Sequence, residues 1–197
     1  MKQEWINMMK SRKRLKLTFG QTITHYMVVP FLLFIPGLMA KSLFEIFVTE
    51  NYSGVRSAGE LLTASIPFLV LAIAFAYIQY RRLDLKEIKV NYTDDQFQEA
   101  VRRTVENLNL RIENNQRDFF RAHRSSNWTG SWGEMITIVK DKERLLINSI
   151  CDPDRLSSVV SYGWNRRNLR TFLTNLTETI KQAPVRQLAN EKNIKTR

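Results

Sequence analysis

The sequence predicts an α+β protein with transmembrane helices, in which a two-helix membrane hairpin precedes a cytoplasmic antiparallel sheet with two helices on one face. Three observations lead to this fold class. Two long apolar stretches lie within the first 80 of the 197 residues, and basic residues flank the outer ends of both. The rest of the chain alternates short strand patterns with two amphipathic helical patterns, in the order β-α-β-β-β(-β)-α.

The apolar stretches cover residues 26–48 and 61–80, within a hairpin region of residues 21–80. About 20 apolar residues, at 1.5 Å per residue, cross the roughly 30 Å hydrocarbon core of a bilayer. The second stretch has no ionisable side chain, whereas the first contains two prolines, a lysine and a glutamate. Neighbouring helices tolerate proline in a membrane span, so we predict two transmembrane helices.

Lys41 and Glu45 are the ionisable residues of the first span. A spacing of four places them on one helix face, where they form an intramembrane polar pair. In one interpretation both lie near the far interface, with Lys41 extended toward the headgroups. In another they belong to a transport path or lie against a partner span. We favour the interface, because two spans enclose no path unless the protein oligomerises.

The charges beside the spans predict their orientation. Residues 1–20 contain six Lys and Arg against one acidic residue, and four more cations lie within residues 81–89. The connecting loop, residues 49–60, has one arginine against two glutamates. The positive-inside rule therefore places both termini in the cytoplasm, with the bacterial inner membrane as the expected location. We do not favour a cleaved signal peptide, because the charged segment before the first span is long and Leu38 in the triplet Leu38-Met39-Ala40 is not the small residue expected at the outer position of a cleavage site.

The net charge of +11 points to an anionic partner or surface. Residues 81–197 hold 22 Lys and Arg against 15 Asp and Glu, so most of the excess lies on the cytoplasmic side. Each basic residue next to anionic lipid headgroups gains about 1 kcal/mol. Because no RRM, KH or helix-turn-helix signature is present, we expect no nucleic acid. The expected partners are lipid headgroups and a protein, or a second copy of the chain in the membrane.

Residues 81–183 are predicted to form the cytoplasmic domain, between a basic N-terminus (residues 1–20) and a flexible basic tail (residues 184–197). Thr93 and Gln96 form a capping-box pattern before a strongly amphipathic helix. The remaining patterns follow in chain order: a strand over residues 86–92, a polar strand or hairpin arm over 111–124, strands over 134–140 and 145–150 joined by a DKER turn, a last short strand over 157–162, and a helix over 166–181.

Short turns between consecutive strands require antiparallel pairing, which excludes a doubly wound parallel sheet. The predicted product is a curved sheet with both helices on one face. In the order of its elements this arrangement resembles TATA-binding-protein-like or helix-grip domains. The resemblance covers topology and implies no function.

Two sets of residues are candidates for catalysis. Cys151 at a strand end and His123 at the end of an earlier strand would form a nucleophilic pair if they were within hydrogen-bonding distance. Glu134, Asp152 and Asp154 would supply acid–base carboxylates. The more ordinary interpretation is that Cys151 is a buried apolar residue and that the two aspartates flanking Pro153 form a turn. A single cysteine and two histidines far apart in sequence predict no metal and no cofactor.

A candidate anion or partner site lies at the start of the last helix. Asn165 is the predicted N-cap of this helix, and Arg166 and Arg167 are in its first turn. The interaction of these cations with the positive end of the helix dipole costs a few tenths of a kcal/mol. A bound anion would make the net interaction favourable. A simply solvated helix start is the alternative. Trp164 adjoins this site, and Trp128 and Trp132 lie in a Ser/Asn/Gly-rich segment, where exposed tryptophan is typical of interfaces.

These observations predict a small integral membrane protein whose cytoplasmic domain binds or scaffolds a partner, as a separate module or as a subunit of a larger membrane complex. The alternative is a membrane-anchored hydrolase or transferase that uses Cys151 and His123, or the carboxylates between residues 134 and 154.

Overall fold

The computed structural model describes residues 1–125, 133–155 and 163–195, and from residue 183 onward it describes the backbone alone. Trp128, Trp132 and the strand predicted over residues 157–162 lie outside these residues. The chain forms two compact units. The α+β unit contains Met1–Lys16 and Leu83–Arg197, and the hairpin unit contains Leu17–Arg82.

The hairpin unit contains three helices: α2 (Phe19–Tyr26), α3 (Val28–Phe44) and α4 (Ala58–Arg82). Thr18 caps α2 through a reciprocal capping box with Gln21. Helix α3 continues into a π-helical turn, Glu45–Thr49, and packs along α4, where the Ser65 hydroxyl lies 3.0 Å from the Met39 sulfur. By length and composition, Val28–Thr49 and Ala58–Arg82 are each able to span a membrane.

The α+β unit contains an open, entirely antiparallel five-stranded sheet. Its strands are β1 (Lys86–Lys89), β2 (Leu110–Gln116), β3 (Phe119–Arg124), β4 (Glu134–Asp141) and β5 (Arg144–Cys151). They lie in the order β1-β5-β4-β3-β2, so the predicted antiparallel sheet is confirmed. The polar segment predicted as one arm forms two strands, β2 and β3, because the chain turns at Arg117 and Asp118 and pairs back on itself.

Helices α5 (Asp94–Leu108) and α6 (Trp164–Lys195) pack on one face of this sheet. The capping box of α5 has the predicted form, since the Gln96 amide donates to Thr93 Oγ1 at 3.2 Å and the Thr93 amide donates to Gln96 Oε1 at 2.8 Å. The core that the helices share with the sheet includes Phe97 from α5, Phe172 from α6 and Ile138 from β4.

Helix α6 is longer than the pattern predicted. It begins at Trp164 instead of Arg166 and continues beyond Lys181, through Pro184, to Lys195. The segment predicted as a flexible tail is therefore helical over most of its length. A proline inside a helix removes one backbone hydrogen bond without requiring the helix to end, and the residues after Pro184 are mostly good helix formers.

The N-terminal segment does not form the separate basic terminus that the sequence suggested. Helix α1 (Gln3–Arg12) contacts β4 and buries Ile6 and Met9. The residues of β4 that alternate with its core positions, Met135, Thr137 and Val139, are also fully buried. Because alternate side chains of a strand point to opposite faces, both faces of the sheet are covered, one by α5 and α6 and the other in part by α1.

Residues next to the hairpin join this unit through a short antiparallel bridge between Arg14 and Asp84. The Leu15 amide donates to the Leu83 carbonyl at 2.8 Å, and the Leu85 amide donates to the Lys13 carbonyl at 2.9 Å. Three of the N-terminal cations form ion pairs within the same unit: Lys10 with Asp118, Lys13 with Glu87, and Arg14 with Asp84. Part of the predicted lipid-facing charge is thus used inside the domain.

If α1 is an integral part of this domain, Ile6→Ala should lower the free energy of unfolding of the full chain by about 2–5 kcal/mol, because the side chain is almost completely buried. Asn7→Ala, on the exposed side of the same helix, is the matched control and should have little effect. Chemical denaturation in detergent micelles, followed by tryptophan fluorescence, measures both. Equal stability of the two variants would contradict the packing of α1.

Candidate functional site

A polar cluster centred on His123 lies at the end of β3, on the sheet face opposite α5 and α6. His123 Nδ1 is 3.0 Å from Asp152 Oδ2, and its Nε2 is 2.7 Å from Glu113 Oε2. Asp152 directly follows β5, and Glu113 is the extra residue of a bulge in β2. The antiparallel sheet therefore brings two carboxylates, one from β2 and one from the end of β5, to the same imidazole.

The carboxylates control the protonation of His123. Burial alone lowers the pKa of His123, but its hydrogen bonds to Asp152 and Glu113, together with their charges, outweigh burial and hold that pKa above its ordinary value. For Asp152, burial raises the pKa, while the hydrogen bond and positive charge of His123 lower it, so the net pKa lies below the usual range. The pair is therefore favoured as imidazolium and carboxylate.

Arg121 lies two residues before His123 on the same strand face and is only 3% exposed. Its Nε donates to Thr137 Oγ1 at 3.3 Å and lies 3.9 Å from Glu113 Oε2, the oxygen that also contacts His123. Its Nη2 is buried without an acceptor among the described residues. Burial lowers the pKa of Arg121, and the carboxylates of Glu113, Asp154 and Asp152 oppose this effect.

The turn after β5 adds another carboxylate to the cluster. The Asp154 amide donates to Asp152 Oδ1 at 3.1 Å, and Arg155 Nε lies 3.6 Å from Asp152 Oδ2. One ligand atom from each of His123, Asp152 and Asp154 lies within 4.8 Å of the other two, so these residues could hold a metal ion. The sequence analysis predicted no metal from the small number of histidines and cysteines. It did not identify this group, in which two carboxylates and one histidine make an adequate ligand set.

The structure does not assemble the predicted catalytic residues. Cys151 pairs in register with Glu134, which pairs with Arg124, so all three point to the α6 side of the sheet. His123 points to the opposite face, which excludes a Cys151–His123 pair. Glu134 is completely buried in an ion pair with Arg124, with Oε2 3.3 Å from Nη1, and is separated by the sheet from Asp152 and Asp154.

The first turn of α6 is attached to the sheet. Asn165 is not the helix cap, since the helix begins one residue earlier, and its Oδ1 accepts a hydrogen bond from Ser149 Oγ at 3.1 Å. The guanidinium groups of Arg124 and Arg167 lie over the Trp164 ring, at 3.3 and 4.6 Å from its centroid. Stacking on this ring accommodates Arg167 at the positive end of the helix dipole.

Arg166 is exposed and belongs to a groove of about 640 Å³ between α6 and β1, which we call the α6–β1 groove. Ile88, Leu169 and Leu173 supply its apolar surface, and each packs against the core. The cations around it are Lys86, Arg166, Arg170 and Lys181, and the acids are Glu87 and Glu178. Glu87 already pairs with Lys13 and Arg144. Sequence reasoning identified only Arg166 here, because the groove combines residues far apart in the chain.

The two residues predicted to form an intramembrane pair are in contact within the hairpin unit. Lys41 Nζ lies 3.5 Å from Glu45 Oε1, at the junction of α3 and its π-helical turn. The lysine side chain is 75% exposed. The geometry places the pair on the outside of this two-span unit.

Comparison with protein-family models, curated proteins and solved structures finds no match to the chain. Functional inference therefore depends on the chemistry of the His123 cluster and the α6–β1 groove.

The raised pKa of His123 makes stability dependent on pH. The folded chain holds the imidazole proton more tightly than the unfolded chain, so this contribution is complete below pH 6.5 and disappears as pH rises through the folded pKa. The free energy of unfolding should therefore fall as the pH rises above 6.5 and through the folded pKa, and His123→Gln should remove this part of the slope. Denaturation of both chains across the range in metal-free buffer measures it. An unchanged slope in the variant would contradict the imidazolium assignment.

Proposed function

We propose that the chain is an integral membrane protein whose α+β unit is a cytoplasmic binding module, acting alone or as a subunit of a larger membrane complex. Two helices of sufficient length and hydropathy support the membrane hairpin. The basic flanks and the connecting loop, with one cation against two acids, support cytoplasmic termini. In this proposal the location is the bacterial inner membrane, with anionic headgroups as neighbours of the basic residues.

The attachment of the domain supports a role at the membrane surface. The chain leaves the α+β unit after Lys16 and re-enters it at Leu83. The segments on either side of the hairpin are hydrogen-bonded to each other through Leu15 and Leu83 within that unit. In this proposal two chain connections to the hairpin hold the α+β unit at the membrane, where it binds other proteins.

The α6–β1 groove is the surface best suited to a partner, and its chemistry defines the occupant as an extended acidic segment of another protein. The four groove cations, Lys86, Arg166, Arg170 and Lys181, form no ion pair among the side chains that the structure describes. The charge of Glu87 is offset by its two partners, which leaves the groove net positive. This set of unpaired cations around an apolar surface is the observation that carries the proposal.

The backbone favours a peptide over a lipid headgroup. Among the described strands β1 is an edge, pairing only with β5, so its outer side can hydrogen-bond an added strand. Ile88, Leu169 and Leu173 can contact apolar side chains that alternate with acidic ones along that strand. A headgroup would use the cations and leave both the apolar surface and the strand edge without a partner.

The hydrolase or transferase alternative is not proposed from Cys151. The sheet separates this residue from His123, the base with which the sequence paired it.

A photo-crosslinking amino acid at the exposed Thr174, within the groove, tests partner binding in the full chain in its native membranes. We expect an adduct to a protein segment in which acidic and apolar residues alternate. Arg166→Ala combined with Arg170→Ala should reduce the adduct about fivefold, since each exposed charge pair contributes roughly 0.2–1 kcal/mol. The yield is measured by quantitative mass spectrometry.

The matched control combines Arg111→Ala with Arg117→Ala, which removes two exposed cations from the opposite edge of the sheet. This variant should retain the adduct. Equal loss in both double variants would show a general charge effect and overturn the groove. An adduct to lipid alone would replace the protein partner with a headgroup, and no adduct at all would reject the proposal.

A further inference from the structure

We propose that His123, Asp152 and Asp154 bind a divalent transition-metal ion, and that an oxyanion on the open coordination positions accepts a hydrogen bond from Arg121. This site lies on the face of the sheet opposite the helices and is independent of the proposed partner groove. The class of ligand is a carboxylate or phosphate group coordinated through the metal.

The distances suit coordination after a small adjustment. His123 Nδ1 and Asp152 Oδ2 are 3.0 Å apart, close to the roughly 3.3 Å expected between two ligand atoms on a tetrahedral zinc ion. The widest separation among the three ligand atoms is at most 4.8 Å. Asp154 is exposed at a turn, so rotation of its side chain can shorten the remaining distance.

Glu113 provides the support that a metal-binding histidine requires. Its Oε2 lies 2.7 Å from His123 Nε2, so it accepts that N–H and fixes the ring with Nδ1 facing Asp152. Carboxylates in this position are the usual outer partners of histidine ligands. One imidazole and two carboxylates suit Zn²⁺, Mn²⁺ or Fe²⁺ better than Mg²⁺ or Ca²⁺, which prefer oxygen ligands alone. Three protein ligands leave at least one position open.

Arg121 is a separate indication of an anionic ligand. It is 97% buried, and its Nη2 has no acceptor among the described residues, although buried guanidinium groups are ordinarily paired. Its Nε is near the same Glu113 oxygen that holds His123, which places the guanidinium beside the cluster. Glu113 is shared between two groups, since its Oε2 lies 2.7 Å from His123 Nε2 and 3.9 Å from Arg121 Nε. An added oxyanion would satisfy Nη2.

Two groups compete with the metal for Asp152: the His123 imidazolium, whose Nδ1 must lose its proton to coordinate the ion, and Arg155. The Arg155 Nε is 3.6 Å from Oδ2 and its side chain is 44% exposed, so the ion pair is long and solvated. Such pairs are weak, and a metal ion bound to the same carboxylate displaces them readily.

Calorimetric titration of the chelator-treated full chain in detergent with Zn²⁺ tests the metal site. We expect one saturable site per chain, and at least tenfold weaker binding in Asp154→Asn, which removes an exposed ligand without disturbing the buried pair. Asp95→Asn, an exposed carboxylate on α5, is the charge-matched control and should bind as the wild type does. Absence of saturable binding, or equal affinity in Asp154→Asn and wild type, would overturn the site.

The oxyanion is tested in the same titration with inorganic phosphate in one arm and acetate in the other. At least one of them should raise the Zn²⁺ affinity threefold or more, and the arm that does so identifies the class of ligand. Arg121→Met should remove this increase while Zn²⁺ still binds. If neither anion changes the affinity, or if Arg121→Met keeps the increase, the role given to Arg121 is wrong. Circular dichroism of each variant confirms that it remains folded.

Discussion

Leu15 and Leu85 donate backbone hydrogen bonds across a short antiparallel bridge, to Leu83 at 2.8 Å and to Lys13 at 2.9 Å. The bridge joins the two chain segments on either side of the hairpin, so α1 becomes part of a domain whose strands begin 70 residues later. Each bond contributes only about 1 kcal/mol. Its larger effect is to position Ile6 and Met9, which are buried and contribute far more through the removal of apolar surface from water.

This arrangement changes the meaning of the basic N-terminus. Lys10, Lys13 and Arg14 each pair with a carboxylate of the α+β unit at 2.6–3.0 Å. Their positive charge therefore serves two purposes in the proposed topology, because it orients the hairpin and also contributes to packing in the domain. Glu87, held by Lys13 and Arg144, connects this region to the edge strand that borders the α6–β1 groove.

Local sequence signals predicted much of the fold. Thr93 and Gln96 form a capping box whose two hydrogen bonds depend only on residues three positions apart, and strands β4 and β5 follow from a simple apolar pattern around a turn. Features that depend on long-range pairing were not predictable in this way. Helix α1 fully buries only Ile6 and Met9, and six of its ten residues are polar, so its pattern resembles that of an exposed terminus. Cys151 and His123 face opposite sides of the sheet because side chains alternate between its faces along each strand. Which face a residue occupies depends on the register of β3 and β5 with β4, which the sequence does not show.

The same limits apply to the functional residues. His123 and Asp152 were recognised separately, but Glu113 was not, because a bulge in β2 brings it to the imidazole and no local pattern marks this bulge. Arg167 was a plausible anion ligand in the sequence, whereas the structure stacks it on Trp164. Arg166 lies in a groove whose other members come from β1 and from the later turns of α6. Composition can suggest the chemistry of such sites, but only the assembled sheet and helices determine which residues meet.

Hydrogen–deuterium exchange of the full chain in detergent tests most directly whether the bridge belongs to the folded domain. The amides of Leu15 and Leu85 should be protected from exchange, as is that of Ile136 in the central strand β4, since each donates a hydrogen bond across the bridge. Val55, in the exposed connecting loop, should exchange rapidly and serves as the reference. If Leu15 and Leu85 exchange as fast as Val55 while Ile136 stays protected, residues 1–16 are not part of the domain and this account of the fold is contradicted.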